Sequence, residues 1–359
     1  MERLLCGDDL MSNNGLVAVT IVTYNSGRFI KKCLESVLSQ NYPQLEVIII
    51  DNASTDGTID ILEQYEERCR IVYNRTNIGF AAAQNQAIAL SRADWVLTLN
   101  PDVLLMPNFI HALVQAGKSD PEIGSVCGKL LVMTPSLEIP ATPVVDSTGI
   151  YFNPMLRHLD RGSREIDTGH YVQYEYVFGA TAAAALYRRS MIDDISIEGE
   201  FFDSDFFSYR EDADVAWRAQ LMGWKCLYTP YACGYHVRKV LPANRSALPP
   251  EINMHSVKNR FLMRIKNVSA DLYWRNWFSI TARDAMVVLC CLLWEHSSLR
   301  SFWYLASHWK RVFAKRRIIQ RRRRVDDEYM ASWFRYRPVS KQPSKRIVTP
   351  VISRSQAET

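Results

Sequence analysis

Residues 17–58 read "VAVTIVTYNSGRFIKKCLESVLSQNYPQLEVIIIDNASTDGT". The first seven, Val17 to Thr23, form an unbroken β-branched and apolar run. That is the composition of a strand buried on both faces, as in a parallel sheet, and not the alternation of a strand with one wet face. "YNSG" supplies turn residues, and "RFIKKCLESVLSQ" then sets apolar residues at helical spacing. "LEVIIID" is a second buried strand, ending on Asp51. In the turn "NASTDGT", Thr55 or Asp56 offers a cap for a helix "IDILEQYEE". Strand, helix and strand in this order make a βαβ unit.

The alternation continues outward. "RIVYN" reads as a third strand, "NIGFAAAQNQAIALS" as a loop opening a helix, and "DWVLTLN" as a fourth strand. The expected fold class is therefore α/β, a mostly parallel sheet flanked by helices. Ligands of such sheets sit at the carboxyl ends of the strands. Thr23, Asp51, Asn77 and Asp102 all fall at or just beyond such ends. The second half is more mixed. Residues 141–176 are loop-rich, "GATAAAALY" is a small-residue strand, and "RRSMIDDI" is a short helix. "SYREDADVAWRAQLMGW" is an acidic loop opening a helix with Val215, Ala219 and Met222 on one face. "KCLYTP" is another strand, followed by a loop carrying His236, and "MHSVKNRFLMRIKN" is an amphipathic helix.

Composition is that of a soluble globular chain, with 359 residues, 48% hydrophobic, 23% charged and a net charge of +5. Eight cysteines without a C-x-x-C pair read as reduced thiols, not as a disulfide framework or a zinc site. The N-terminus carries no apolar run of the secretory kind. Past residue 270 the character changes. "AMVVLCCLLW" is too short to span a bilayer. "WKRVFAKRRIIQRRRR" holds nine Lys or Arg and no acid. Aromatic anchors beside a polybasic run suit a helix on an anionic membrane surface, and a plain solvated basic helix is the alternative. A nucleic-acid arm is disfavoured because no other basic patch matches it. The expected layout is an N-terminal extension at 1–15, an α/β domain at 16–268, a basic membrane-associating helical extension at 269–337 and a disordered tail at 338–359.

Taken in order, "VTIVTYNSGRFIKKCLESVLSQ", "VIIIDNASTDGT", "RTNIGFAAAQNQAI", "LTLNPDVLL", "FFSYREDADVAWRAQLMGWK" and "KNRFLMRIKN" resemble the family 2 glycosyltransferases, which have the GT-A fold. The Asn-Pro-Asp form and the acidic Tyr-x-Glu-Asp-x-Asp segment look most like the bacterial rhamnosyltransferase-type branch. The resemblance implies that Asp51 accepts the N3–H of a uracil or thymine base, with Thr23, Tyr24 and Asn25 as the neighbouring wall. An ionised Asp, an acceptor-only group, suits that task; capping its own turn is the plain alternative. Asn77, Gly79 and Asn85 would face the same edge, Gly79 allowing close backbone approach.

Many enzymes of this fold carry Asp-x-Asp at the fourth strand's end. Here Asn100 takes the first place, which leaves Asp102 as the implied ligand of Mg2+ or Mn2+. His236 is the implied second ligand, although a lone His is more often structural. Arg238, Lys239 or Arg260 offer charge to the diphosphate. The resemblance makes Asp212 the general base toward an acceptor hydroxyl, with Glu211 and Asp214 supporting it and Arg218 pairing with one of them. Three acids opening a helix also simply suit its dipole. Gly179, Ala180 and Thr181 either leave room for a sugar or pack a strand tightly. The implied function is an inverting, metal-dependent transfer of a sugar from a nucleotide-diphosphate donor, dTDP-rhamnose or a UDP-sugar. The acceptor would be a glycan or polyprenyl-linked hydroxyl at the inner membrane face. An inactive nucleotide-binding scaffold is the alternative. No G-x-G-x-x-G follows the first strand, which disfavours a dehydrogenase.

Overall fold

The computed structural model describes residues 15–238 and 248–335. Of the expected N-terminal extension only Gly15 falls within them. Lys239 and the expected tail at 338–359 lie outside.

The leading stretch folds as read. β1 (Val17–Thr23) is buried along its whole length and pairs in parallel with β2 (Leu45–Asp51), with α1 (Ile30–Leu38) between them. β3 (Arg70–Tyr73) pairs with β2, and β4 (Trp95–Leu99) pairs with the other side of β1, both in parallel. The strand order 3-2-1-4 puts the direction change of the winding beside β1, where ligands of such sheets bind. Both faces are covered. Val17, Val19 and Ile21 pack with α1 and α4 (Phe109–Lys118), while Val22, Ile48 and Ile50 pack with α3 (Phe80–Ala89).

Beyond β4 the sheet is mixed. β11 (Ala184–Arg188) runs antiparallel to both β4 and β6 (Ile123–Val132), and β12 (Lys225–His236) runs parallel to β6. Two reversals restore direction, so β12 ends on the same edge as β1, β2 and β4. β12 is longer than the expected strand. Pro230 breaks its pairing in a bulge between Tyr228 and Cys233, and the ladder then resumes to His236. His236 therefore closes a strand and does not sit in the following loop. The run "GATAAAALY" is strand only from Ala184 onward. Two hairpin strands, β8 (Ile150–Phe152) and β9 (His158–Asp160), lie inside the loop-rich region.

α6 (Glu211–Leu221) and α7 (Pro250–Asn267) cover the remaining face. The C-terminal helices pack on them: α8 (Ala270–Arg275), α9 (Trp277–Leu293), α10 (Arg300–Ser307), α11 (Trp309–Arg322) and α12 (Asp327–Phe334). Val312, Ile319, Met330 and Phe334 share one cluster with Phe152, Phe178, Trp217 and Met263. The basic tract is thus partly an inner layer. Arg316 donates to the carbonyls of Ile265 and Val268, Arg322 to those of Asp194 and Ser196, and Arg324 bonds the Asp194 carboxylate. Among the described residues no helix is long and apolar enough to cross a membrane.

Candidate functional site

Thr23 and Asp51 end adjacent strands in register. Thr23 Oγ1 donates to Asp51 Oδ1 at 2.7 Å, Ser54 Oγ donates to the same oxygen at 2.6 Å, and the Ser54 N–H donates to Oδ2 at 2.9 Å. The carboxylate is fully buried and fixed, yet keeps lone-pair capacity on Oδ2. Asn25, at φ 50°, donates its N–H to Ser54 Oγ and accepts the Thr55 N–H on Oδ1 at 2.8 Å. Tyr24 beside it is half exposed.

Asn77, Gly79 and Asn85 have partners within the fold. Asn77 Oδ1 accepts the Gly79 N–H at 2.9 Å, and Gly79 adopts φ 87° where a Cβ would meet the Phe207 ring at 2.6 Å. The Asn85 amide clasps the Phe202 backbone, donating to its carbonyl at 2.6 Å and accepting its N–H at 2.9 Å. These residues join the start of α3 to the 202–207 segment that leads into α6. Gly179 is likewise explained by packing, since a Cβ there would sit 2.2 Å from that of Ala216.

Asn100 and Asp102 follow β4. β5 (Val103–Leu105) pairs with the end of β12 so that Val103 faces His236, and the Val237 N–H donates to the Asp102 carbonyl at 3.0 Å. This register brings His236 Nε2 within 3.5 Å of Asp102 Oδ1, a buried oxygen without a hydrogen-bond partner. His236 Nδ1 faces Asp146 Oδ2 at 2.8 Å. Burial opposes charging the ring, but Asp102 and Asp146 push its pKa up to about 9. An orphaned carboxylate oxygen beside a histidine held from behind by a second carboxylate suits a divalent cation, which would take the place of the ring's Nε2 proton. Among the described residues no group of three or more His, Cys, Asp or Glu could hold a metal ion. The chain offers two side-chain donors, and other ligands would complete a shell.

Arg238 is engaged in an ion-pair relay. It donates to Asp146 Oδ1 at 2.6 Å and also binds Asp160 on β9. Asp160 in turn acts on Asp212. Burial first, and then the charge of Asp160, raise the Asp212 carboxyl pKa. Burial and the charge of Asp212 push the Glu211 carboxyl up to about 8, with one of its oxygens buried and unpartnered. At neutral pH Glu211 therefore keeps its proton, and Asp212 is the more accessible of the two. The backbone of Ala182 and Ala183 ties this pair to the strand end. The Ala182 N–H donates to Asp212 Oδ2 at 3.3 Å, and the Ala183 carbonyl accepts the Asn100 N–H at 2.9 Å. Asp214 turns away, bonded to Arg218 at 2.9 Å as expected and to Lys266 and Asn267.

The sequence reading passed over the residues that hold the acidic loop. Phe207, Tyr209 and Arg210 all take positive φ just before Glu211, a costly backbone for side chains of this size. Asn259 on α7 clamps the segment, its Nδ2 lying within 2.9 Å of the carbonyls of Phe206, Ser208 and Tyr209. Asp146 and Asp160 were also missed, because nothing local marks them in the loop-rich region. Of the diphosphate candidates, Arg238 is paired as above and Arg260 faces Asp284 from α7.

A mixed sheet of this order, with acidic and amide residues at its strand ends, is the GT-A fold of the glycosyltransferases. Two solved structures share it. One is the mannosyltransferase PcManGT of Pyrobaculum calidifontis in complex with GDP-Man and Mn2+ (TM-score 0.50, 18% identity, 89% of this chain and 82% of that one). The other is GalNAc-T7 with UDP, GalNAc and Mn2+ (TM-score 0.55, 14% identity, 70% and 48%). The sequence profile of Glycosyl transferase family 2 matches residues 18–196. TuaG of Bacillus subtilis, a glycosyltransferase assigned to teichuronic acid biosynthesis, is 43% identical over 90 residues, 24% of this chain and 36% of that one. The chain belongs to glycosyltransferase family 2. It spans from about a third to about half of the length of the curated relatives it matches.

Proposed function

We propose that the protein transfers a sugar from a nucleotide-diphosphate donor to a hydroxyl of a lipid-linked cell-surface glycan, with inversion at the anomeric carbon. One observation carries the reading: the backbone of Ala182–Ala183 bonds Asn100 at the donor edge on one side and Asp212 on the other. A donor at the strand ends would then meet an acceptor at Asp212. Asp51, with its free lone pair, takes the N3–H of uracil or thymine, and Thr23, Tyr24 and Asn25 border the base. A dTDP-sugar such as dTDP-rhamnose, or a UDP-sugar, fits that acceptor group. Asp102 and His236 would hold Mg2+ or Mn2+, and a cation bound there supplies positive charge to the departing diphosphate. Asp212 removes the acceptor's proton as its oxygen forms the new C–O bond and the nucleoside diphosphate leaves. Glu211 beside it keeps its proton near neutrality, and the raised pKa of Asp212 suits a general base.

Contact with the inner membrane face belongs to the same reading, but by a different surface than the basic tract alone. Trp274, Trp277, Phe278, Trp294, Trp303 and Trp309 are at least half exposed on α8 to α11. Such aromatics suit the headgroup boundary.

The test is release of UDP or dTDP from sugar nucleotides when a bacterial lipid extract is supplied. Asp212→Asn should lower the rate about 10²–10⁴-fold while nucleotide affinity holds. Tight nucleotide binding by the unmodified protein, with no turnover on any extract, would favour the scaffold alternative.

A further inference from the structure

Between α7 and α9 lies a group of arginines with too few carboxylates. Arg260 and Arg264 are 6% and 8% exposed. Among the described residues their one ion-pair partner is Asp284, which accepts from Arg264 Nη2 and lies 3.4 Å from Arg260 Nε without hydrogen-bond geometry. Arg260 Nε and Nη2, Arg264 Nε and Nη1, and Arg283 Nε are all buried and without an acceptor among the described residues. Arg157 acts electrostatically on Arg283. Arg260 and Arg264 thus share the Asp284 carboxylate, with Arg283 and Arg157 acting beside them. Burial, then Arg264 and Arg283, push the Arg260 guanidinium down to about 10 against the pull of Asp284. Buried N–H groups without acceptors are costly in a fold that needs nothing more from them.

We propose that Arg157, Arg260, Arg264 and Arg283 form a binding site for the phosphate or diphosphate of the acceptor lipid. The assignment rests on the transferase reading above. Guanidinium forks match phosphate oxygens in pairs. The place fits an acceptor and not the donor. β9 separates the cluster from the acidic pair: its His158 feels Arg157 and Arg260, and its Asp160 acts on Asp212. Arg210, which directly precedes the acidic pair, also contacts His158 at 2.8 Å, so β9 bridges the two groups. On the outer side, α9, which carries Arg283, exposes Phe278, Met286 and Leu289 at 70%, 61% and 52%, an apolar course for a lipid chain. The donor's diphosphate belongs at the strand ends, with Asp102.

Calorimetric titration of the full chain tests this with three probes: geranyl diphosphate, inorganic pyrophosphate, and UDP or dTDP. Arg283→Gln and Arg157→Gln change partly exposed residues, so folding survives them, and their melting temperatures verify it. Each should weaken geranyl diphosphate about tenfold, the loss of one charge-assisted hydrogen bond, and leave nucleotide affinity unchanged. If geranyl diphosphate does not bind, or binds both variants as well as the parent, the site is wrong. Equal losses for geranyl diphosphate and nucleotide would assign the cluster to donor phosphates. Pyrophosphate binding as tightly as geranyl diphosphate would make the ligand a free anion and overturn the lipid assignment. Failure of nucleotide binding alone would sink the donor site and leave this one standing.

Discussion

Helix α7 carries two groups of buried cations, and their surroundings answer them differently. At its C-terminal end Lys266 meets Asp203 and Asp214, and Lys315 reaches in from α11 to Asp203 at 2.5 Å and Asp205 at 2.8 Å. Burial works against ionising Asp203, but Lys266 and Lys315 hold its carboxyl well below the usual range. Within the two turns before it on the helix, Arg260 and Arg264 share one aspartate. The first group is closed upon itself and ties α11 to α6 and α7. The second is left with donors to spare. Closure marks a group that serves folding, and unanswered charge marks one that serves a ligand.

That contrast can be broken by substitution. The largest stability effect belongs to the closed group. Lys315→Ala takes the cation shared by Asp203 and Asp205 and leaves them Lys266 and Arg311 alone, and breaking a buried pair in this way costs about 3 kcal/mol. A thermal melt should fall by about ten degrees; an unchanged melt would mean that α11 is not held by charge. Asn259→Ala comes next. It frees three carbonyls at a strained loop, for about 2 kcal/mol, and should lower kcat through misplacement of Asp212 while KM for the donor holds. Arg260→Met should behave oppositely to Lys315→Ala. It removes charge repulsion, so the melting temperature should hold or rise by a few degrees, and a loss as large as that of Lys315→Ala would erase the distinction.

The last effect is one of pH. A carboxyl normally near 4.5 and raised to about 8 in the fold binds more protons folded than unfolded across that window. Its contribution to stability therefore falls as pH rises from about 4.5 to about 8. Glu211→Gln removes this loss. Its melting temperature relative to the parent should climb by a few degrees across the window and level off above it. A constant difference would show that Glu211 titrates in the ordinary range.

The half built on β1 to β4 was legible because its signals are local. Seven buried residues in a row declare β1, and Asp51 ends a strand that can be read by itself. The Asp212 helix and its Arg218 pair are equally short-range. What stayed hidden depends on distant partners. His236 finds Asp146 90 residues away, Lys315 finds Asp203 at a separation of 112, and Asn259 finds Tyr209 at 50. The inner face of the basic tract was hidden for a related reason. Val312, Lys315 and Ile319 lie on one buried face of α11, so a lysine stands inside an apolar stripe. Composition cannot tell it from the cations on the outer face. The break at Pro230 hid the far half of β12, and with it the strand that delivers His236.

The account turns on a donor site at the ends of β1, β2 and β4. Calorimetry of UDP and dTDP, with and without Mn2+ or Mg2+, tests it most directly. It predicts binding that needs the cation and is lost in Asp102→Ala while the protein stays folded. Absence of binding by any pyrimidine diphosphate, or binding indifferent to Asp102→Ala, would contradict it.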